Sequence, residues 1–190
     1  MSDLVRYFMY KRMHEYFPFP MTGKILGISG IDNFRPLIAR DANILDVQYP
    51  EIDLQKLPYG DNTFDYVISD QVLEHLENPQ QAVNESYRVL KKDGIVIHTT
   101  CFINYLHPCP IDLWRFSPDA LKYLCKEFSE IRHCEGWGNR IALFLFFFPN
   151  RLRNRLKLLN LPNHKWSLRR LIATWNEKGF PIVTWVVAKK

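Results

Sequence analysis

Apolar side chains at Leu4, Val5, Phe8, Met9, Met13 and Tyr16 recur at three- and four-residue intervals, a period that predicts a helix over residues 3–16. The stretch FPFPMTG at 17–23 breaks it. Residues 24–30 (KILGISG) predict a short buried strand that runs into a small-residue turn, and 43–47 (NILDV) predict a second strand. After a turn at 59–62, residues 64–69 (FDYVIS) carry a near-continuous apolar core, the pattern of a parallel strand covered on both faces. Asn78 and Pro79 supply the N-cap and first-turn proline of a helix. Val83, Tyr87 and Leu90 mark its buried stripe. Lys91 and Lys92 then suit its C-terminal dipole, and Asp93 with Gly94 stops it. Residues 94–100 predict the next strand. Ser117 and Pro118 repeat the cap signal ahead of Leu121, Leu124, Cys125 and Phe128 at helical spacing. Residues 131–137 and 181–188 predict the remaining strands. Strands that alternate with helices predict an open α/β sheet, and in such sheets ligands sit beyond the carboxyl ends of the strands.

Composition narrows the class. The chain has 190 residues, 47% of them hydrophobic, enough for one well-filled domain and too many for a disordered chain. It lacks the run of about 18 apolar residues that a spanning helix needs, and its first residues lack the apolar stretch of a secretory signal. The expected compartment is cytoplasmic. None of the four cysteines stands in a C-x-x-C pair, so no zinc site is expected. The net charge of +5 is unevenly spread. Residues 141–190 hold 10 Lys and Arg against one acid, whereas residues 1–140 hold 15 against 19. An anionic partner belongs to the last fifty residues.

The loops after the strands carry the candidate chemistry. Gly27, Ser29 and Gly30 allow a backbone to approach a ligand, or simply form a tight turn. Asp46 and Asp53 lie where carboxylates can accept ribose hydroxyls, or else are solvated. His75 and His107 are the candidate proton acceptors, with structural roles as the alternative. Asp112 and Arg115, three residues apart, either pair with each other or present a guanidinium to an acidic acceptor. Trp114 and Phe116 are expected in the core, and His98 packed within its strand. Trp137 and Arg140 are placed to border the acceptor pocket. Residues 141–149 are too few to cross a bilayer. With Arg151, Arg153, Arg155 and Lys157 they suit a helical insertion over the sheet, or an element touching anionic lipid; RNA is the less favoured partner. The run Phe144–Phe148 would also suit a homodimer contact.

Asp53, Leu57-Pro58, the strand 64–69 ending at Asp70, VLEH at 72–75 and RVLKKDG at 88–94 follow one another in order. This series resembles the class I S-adenosylmethionine-dependent methyltransferases, in particular the type 11 group, over roughly residues 23–140. ISG at 28–30, QVLEH at 71–75, the pattern His107-Pro-x-Pro-x-Asp112-x-x-Arg115 and WGNR at 137–140 are similar to small members from polysaccharide gene clusters. The resemblance implies a Rossmann-like, doubly wound, mostly parallel sheet with an antiparallel last strand, reduced between its second and third strands. It implies a single domain: an N-terminal helix (1–22), a cofactor-binding core (23–140), a basic aromatic insertion (141–178) and a last strand (179–190). It implies methyl transfer from S-adenosylmethionine to a small-molecule or glycan-type acceptor, at oxygen. The loop of Gly27, Ser29 and Gly30 would lie against the methionine part of the cofactor. Asp46 would hold the ribose, Asp53 and Leu54 the adenine, and Asp70 and Gln71 would face the methionyl amino group and the methyl. The family carries an acid in place of Gly27 and a glycine in place of Ser29. A non-catalytic binding or scaffold protein is therefore the alternative. The missing G-x-G-x-x-G disfavours a nicotinamide-dependent oxidoreductase.

Overall fold

The computed structural model describes residues 2–17, 20–107, 110–147 and 168–190. Six strands form one sheet: β1 (Lys24–Ile28), β2 (Asn43–Val47), β3 (Phe64–Asp70), β4 (Leu90–Cys101), β5 (Glu130–Trp137) and β6 (Val183–Lys189). Their order is β2-β1-β3-β4-β6-β5. The first four are parallel, and β6 runs antiparallel to both β4 and β5. The helices are α1 (Ser2–His14), α2 (Pro79–Val89), α3 (Pro118–Leu124), α4 (Arg140–Phe147) and α5 (Leu168–Thr174). This is the expected Rossmann-like α/β sheet with its antiparallel last strand.

Alternate strand residues feed two cores, as the pleat requires. Leu26, Val67 and Val96 face one side, where Val83, Leu121 and Phe128 pack. Ile25, Ile68 and Ile97 face the other, where Val5, Met9 and Met13 of α1 meet Trp185. The N-terminal helix thus packs on this side of the sheet, together with Phe34 and Leu37 and with Ala142 and Leu143 of α4.

Asn78 caps α2 by accepting from Gln81 N at 3.1 Å, and Ser117 caps α3 by accepting from Ala120 N at 3.2 Å. The end of α2 differs from the sequence expectation. The helix stops at Val89, and Leu90 already belongs to β4, paired with Phe64. Lys91 and Lys92 are strand residues, and Arg88 is the cation in the last turn. Sheet pairing of a buried Leu90 outweighs one more helical turn. Between β2 and β3, residues 48–63 contain only turns and bends, so the reduction expected there is large; no helix stands between the two strands, and β2 is largely exposed.

Within 141–178 the described parts are α4 and α5. Ala142 and Leu143 are buried, whereas Ile141 and Phe144 are exposed. Arg151, Arg153, Arg155 and Lys157 lie outside the described residues. Among the described residues no helix is long and apolar enough to cross a membrane.

Candidate active site

The carboxyl ends of β1 and β3 open onto a cleft of about 280 Å³. Ile28, Ile52, Leu54, Val72 and Leu76 give it apolar walls, and Ser29, Asp53, Gln55, Gln71 and His75 give it polar corners. Ser29 and Gly30 both take positive φ, 72° and 80°, and Ser29 N donates to Val47 O at 2.9 Å. Ser29 therefore holds a left-handed conformation that glycine adopts without strain. Gly27 is different: it is buried in β1, and a Cβ there would lie 2.8 Å from the Ile31 side chain. It is a packing glycine and does not line the cleft.

Asp53 and Leu54 form the wall opposite β1. The Asp53 carboxylate accepts from Gln55 N at 2.8 Å and from Gln55 Nε2 at 3.2 Å, which fixes it at the cleft edge. Asp46 pairs in register with Gly27 and sits at the loop's outer side, exposed, 3.4 Å from Ile31 N. It is a neighbour of the cleft, not part of its lining. Gln71, at φ 57°, is held by its own N–H to Thr99 O at 3.0 Å and by its amide to Thr99 Oγ1 at 3.2 Å.

Asp70 departs from the expected role. Its carboxylate is buried and accepts from Tyr10 Oη at 2.6 Å, Arg6 Nη2 at 3.1 Å and Thr99 Oγ1 at 2.5 Å. It faces α1, so its lone pairs are used inside the protein instead of in the cleft. Tyr10 and Arg6 were invisible as site residues in the sequence, where they are two polar positions on an amphipathic helix. Burial raises the Tyr10 phenol well above its usual range, with the Asp70 charge adding to it, so the hydroxyl is a permanent donor.

A second, smaller cavity of about 150 Å³ adjoins the first. Arg6, Gln71, His75, Asn104, Tyr105, His107, Ile182 and Val183 line it. Gln71 and His75 border both cavities. His75 Nδ1 is hydrogen-bonded to Ile111 O. A carbonyl only accepts, so Nδ1 carries the proton and the neutral ring keeps its lone pair on Nε2.

His107 lies between two carboxylates. Its Nε2 is 3.9 Å from Glu74 Oε1, and its Nδ1 is 3.3 Å from Asp112 Oδ2. Its pKa is raised, chiefly by Glu74, with Tyr105 O and Asp112 adding to this against partial burial. Asp112 itself is held well below the usual carboxylate range, first by Arg115, which grips both oxygens at 2.5 and 2.8 Å. The pair Asp112–Arg115 is thus a local brace for the 104–115 loop, and its guanidinium is not offered to a ligand. Glu74 was not singled out by its spacing, although it stands in the VLEH series. It is fully buried, accepts from Thr100 Oγ1 at 2.7 Å, and its Oε1 has no hydrogen-bond partner. Cys101 completes this group: the donor atoms of Glu74, Cys101 and His107 lie within 4.8 Å of one another. Burial, with the Glu74 charge behind it, pushes its thiol up to about 12, which works against a thiolate ligand for a metal.

Three expectations fail on placement. Trp137 donates to Ala173 O at 2.8 Å and Arg140 pairs with Glu177, and neither lines the smaller cavity. Trp114 is not a core residue; it is 43% exposed with its indole N–H bonded to Leu76 O at 2.8 Å, whereas Phe116 is buried as expected.

Comparison with known proteins agrees with the geometry. Residues 13–98 match a family model described as a methyltransferase domain. Over 80 residues the chain is 34% identical to 2-methyl-6-phytyl-1,4-hydroquinone methyltransferase 1 of Oryza sativa subsp. japonica, covering 39% of this chain and 23% of that protein. The matched stretch spans less than a quarter of the length of each curated relative. Among solved structures, phospholethanolamine N-methyltransferase 2 of Haemonchus contortus superposes with a TM-score of 0.60 at 16% identity, over 96% of this chain and 52% of that one. The [4+2]-cyclase SpnF does so with a TM-score of 0.56 at 16% identity, over 97% and 80%. At such identity the likeness is one of fold, and the cyclase shows that this fold does not fix the reaction. The sheet has the Rossmann-like fold of class I methyltransferases, and the matched segment is similar to a methyltransferase domain. The matched segment, residues 13–98, is under half of the chain, and it is this segment that is similar to the methyltransferase-domain family.

Proposed function

We propose that the protein transfers a methyl group from S-adenosylmethionine to a hydroxyl of a small or glycan-type acceptor. The observation that carries this reading is the position of His75 at the junction of the two cavities, with its free lone pair on Nε2. The larger cleft suits an adenosine: its apolar walls take the base, and Asp53 offers an acceptor for an exocyclic amine. The cofactor, when bound, supplies an electrophilic methyl carbon on a sulfonium. Gln71, fixed by Thr99, shapes the passage between the cleft and the smaller cavity. His75 Nε2 would take the proton of an acceptor hydroxyl held in the smaller cavity, and the walls of the two cavities would set the approach.

His107 was the other candidate base. Its two carboxylate neighbours raise its pKa and engage its ring nitrogens, which makes it the less available of the two. Its role in this reading is to hold the acceptor loop and donate to a substrate oxygen. The glycan-type acceptor rests on the likeness of residues 28–30, 71–75, 107–115 and 137–140 to small members from polysaccharide gene clusters.

Calorimetry with S-adenosylmethionine and S-adenosylhomocysteine tests the first half. Absence of heat at millimolar ligand would favour the non-catalytic alternative, which draws on Gly27 and on the engaged Asp70. Radiolabelled methyl transfer to a panel of phenols, sugar acids and monosaccharides tests the second. With an accepted substrate, His75→Ala should lower kcat roughly 10²- to 10⁴-fold and leave S-adenosylhomocysteine affinity nearly unchanged. Wild-type turnover in that variant would remove His75 as the base.

A further inference from the structure

Arg6 lies outside the segment that matches the family model, on α1. Its Nη2 donates to Asp70 Oδ2 at 3.1 Å and to Tyr10 Oη at 3.0 Å. Its Nε is buried and has no hydrogen-bond partner among the described residues. A guanidinium N–H withdrawn from water without an acceptor is costly, and a folded protein rarely leaves one idle. The side chain lines the smaller cavity beside Gln71 and His75, the two residues shared with the cofactor cleft. The idle donor therefore stands on the far side of Gln71 from Asp53 and Leu54.

A nucleoside seated against Asp53 and Leu54 must extend any tail past Gln71. S-adenosylmethionine carries an α-amino-acid tail that ends in a carboxylate. We propose that Arg6 Nε receives that carboxylate, so that α1 supplies a cofactor contact that the Ser29–Gly30 loop does not make. This rests on the cofactor reading above. Asp70 acts as the positioning residue. With Tyr10 and Thr99 at its oxygens, it pins Nη2 and so fixes the plane of the guanidinium. The buried cluster on α1 and β3 thereby acquires a purpose that packing alone does not require. A charge-assisted bond of this kind is stronger than a neutral one, which sets the size of the expected effect.

The test compares two ligands. S-adenosylhomocysteine carries the amino-acid tail, and 5′-methylthioadenosine lacks it. In Arg6→Lys the ammonium still compensates Asp70, so the fold is retained, but the Nε–H is gone; Arg6→Met removes the charge as well. By calorimetry, both variants should bind S-adenosylhomocysteine at least tenfold more weakly than wild type, with 5′-methylthioadenosine affinity unchanged within twofold. Thermal unfolding of Arg6→Lys should stay close to wild type. Equal losses for both ligands, or undiminished S-adenosylhomocysteine affinity in Arg6→Lys, would overturn the assignment while leaving the cofactor reading intact. A wild-type protein that binds neither ligand would remove that reading, and the role of Arg6 with it.

Discussion

His98 sits in the centre of β4 with no exposed surface. Its Nδ1 is 2.6 Å from Ser69 Oγ, and its Nε2 has no partner. Burial alone holds its pKa down at about 3, against an ordinary 6.5. The unfolded chain therefore binds a proton that the folded chain refuses between those two values. Stability from this group is fully present above pH 6.5 and is lost as pH falls toward 3, at up to about 1.4 kcal/mol per unit. In His98→Asn the amide oxygen can still accept from Ser69 but nothing titrates. Urea unfolding at pH 6.5 and pH 5 should show the wild type losing about 2 kcal/mol more than the variant across that interval. Parallel losses would mean that His98 is solvated in the fold. The sequence placed His98 in a strand and expected it packed, because a polar residue inside an apolar run has few other fates. It could not place Asp70 correctly. The position after a strand suggested a ligand-facing carboxylate, but the residues that claim it, Arg6 and Tyr10, come from sixty or so positions upstream. Contacts of that range leave no local pattern.

At the scale of elements, the Asp53–Leu54 wall of the cleft depends on a segment that has no regular structure. Residues 54–61 are held by Arg88 at the end of α2, which donates to Leu57 O at 3.1 Å, Tyr59 O at 2.8 Å and Asp61 Oδ1 at 2.7 Å. Glu85 holds the guanidinium from below and accepts from Leu57 N at 2.9 Å. One side chain thus replaces the helix that the connection between β2 and β3 lacks. Arg88→Met should lower global stability by about 1–2 kcal/mol, since the arginine is one-third exposed and partly screened. Its sharper effect should be local: faster amide exchange over residues 54–61 and a several-fold loss of S-adenosylhomocysteine affinity, with α3 and β5 unchanged. Protection that survives in that segment would transfer the role to the Leu54 and Leu57 side chains. Element starts were legible, because Asn78-Pro79 and Ser117-Pro118 carry their capping chemistry within four residues. The end of α2 was not, because Leu90 answers to Phe64 across the sheet instead of to its own helix.

For the whole molecule, the alternation of strands and helices was enough to predict an open α/β sheet, since each amphipathic period states which face needs a partner. It did not say which helix covers which face. That assignment belongs to α1, which lies almost entirely outside the matched segment of 13–98 and yet buries Val5, Phe8, Met9, Tyr10 and Met13. Fully burying five such side chains is worth roughly 7–15 kcal/mol at about 1.5–3 kcal/mol each. The net stability of a domain this size is about 5–15 kcal/mol. The helix therefore carries as much free energy as the fold has in hand. Its loss would also bare Ile25, Ile68, Ile97 and Trp185, a patch that soluble monomers do not expose. A chain lacking residues 1–16 should show no cooperative thermal transition, weak near-ultraviolet dichroism and a tendency to associate. A truncated chain that melted within a few degrees of the full one would show α1 to be a cover laid over a complete domain. Arg6, the proposed carboxylate contact, and Tyr10 would then sit on a detachable element, and under that proposal cofactor affinity, not folding, would be what the truncation removes.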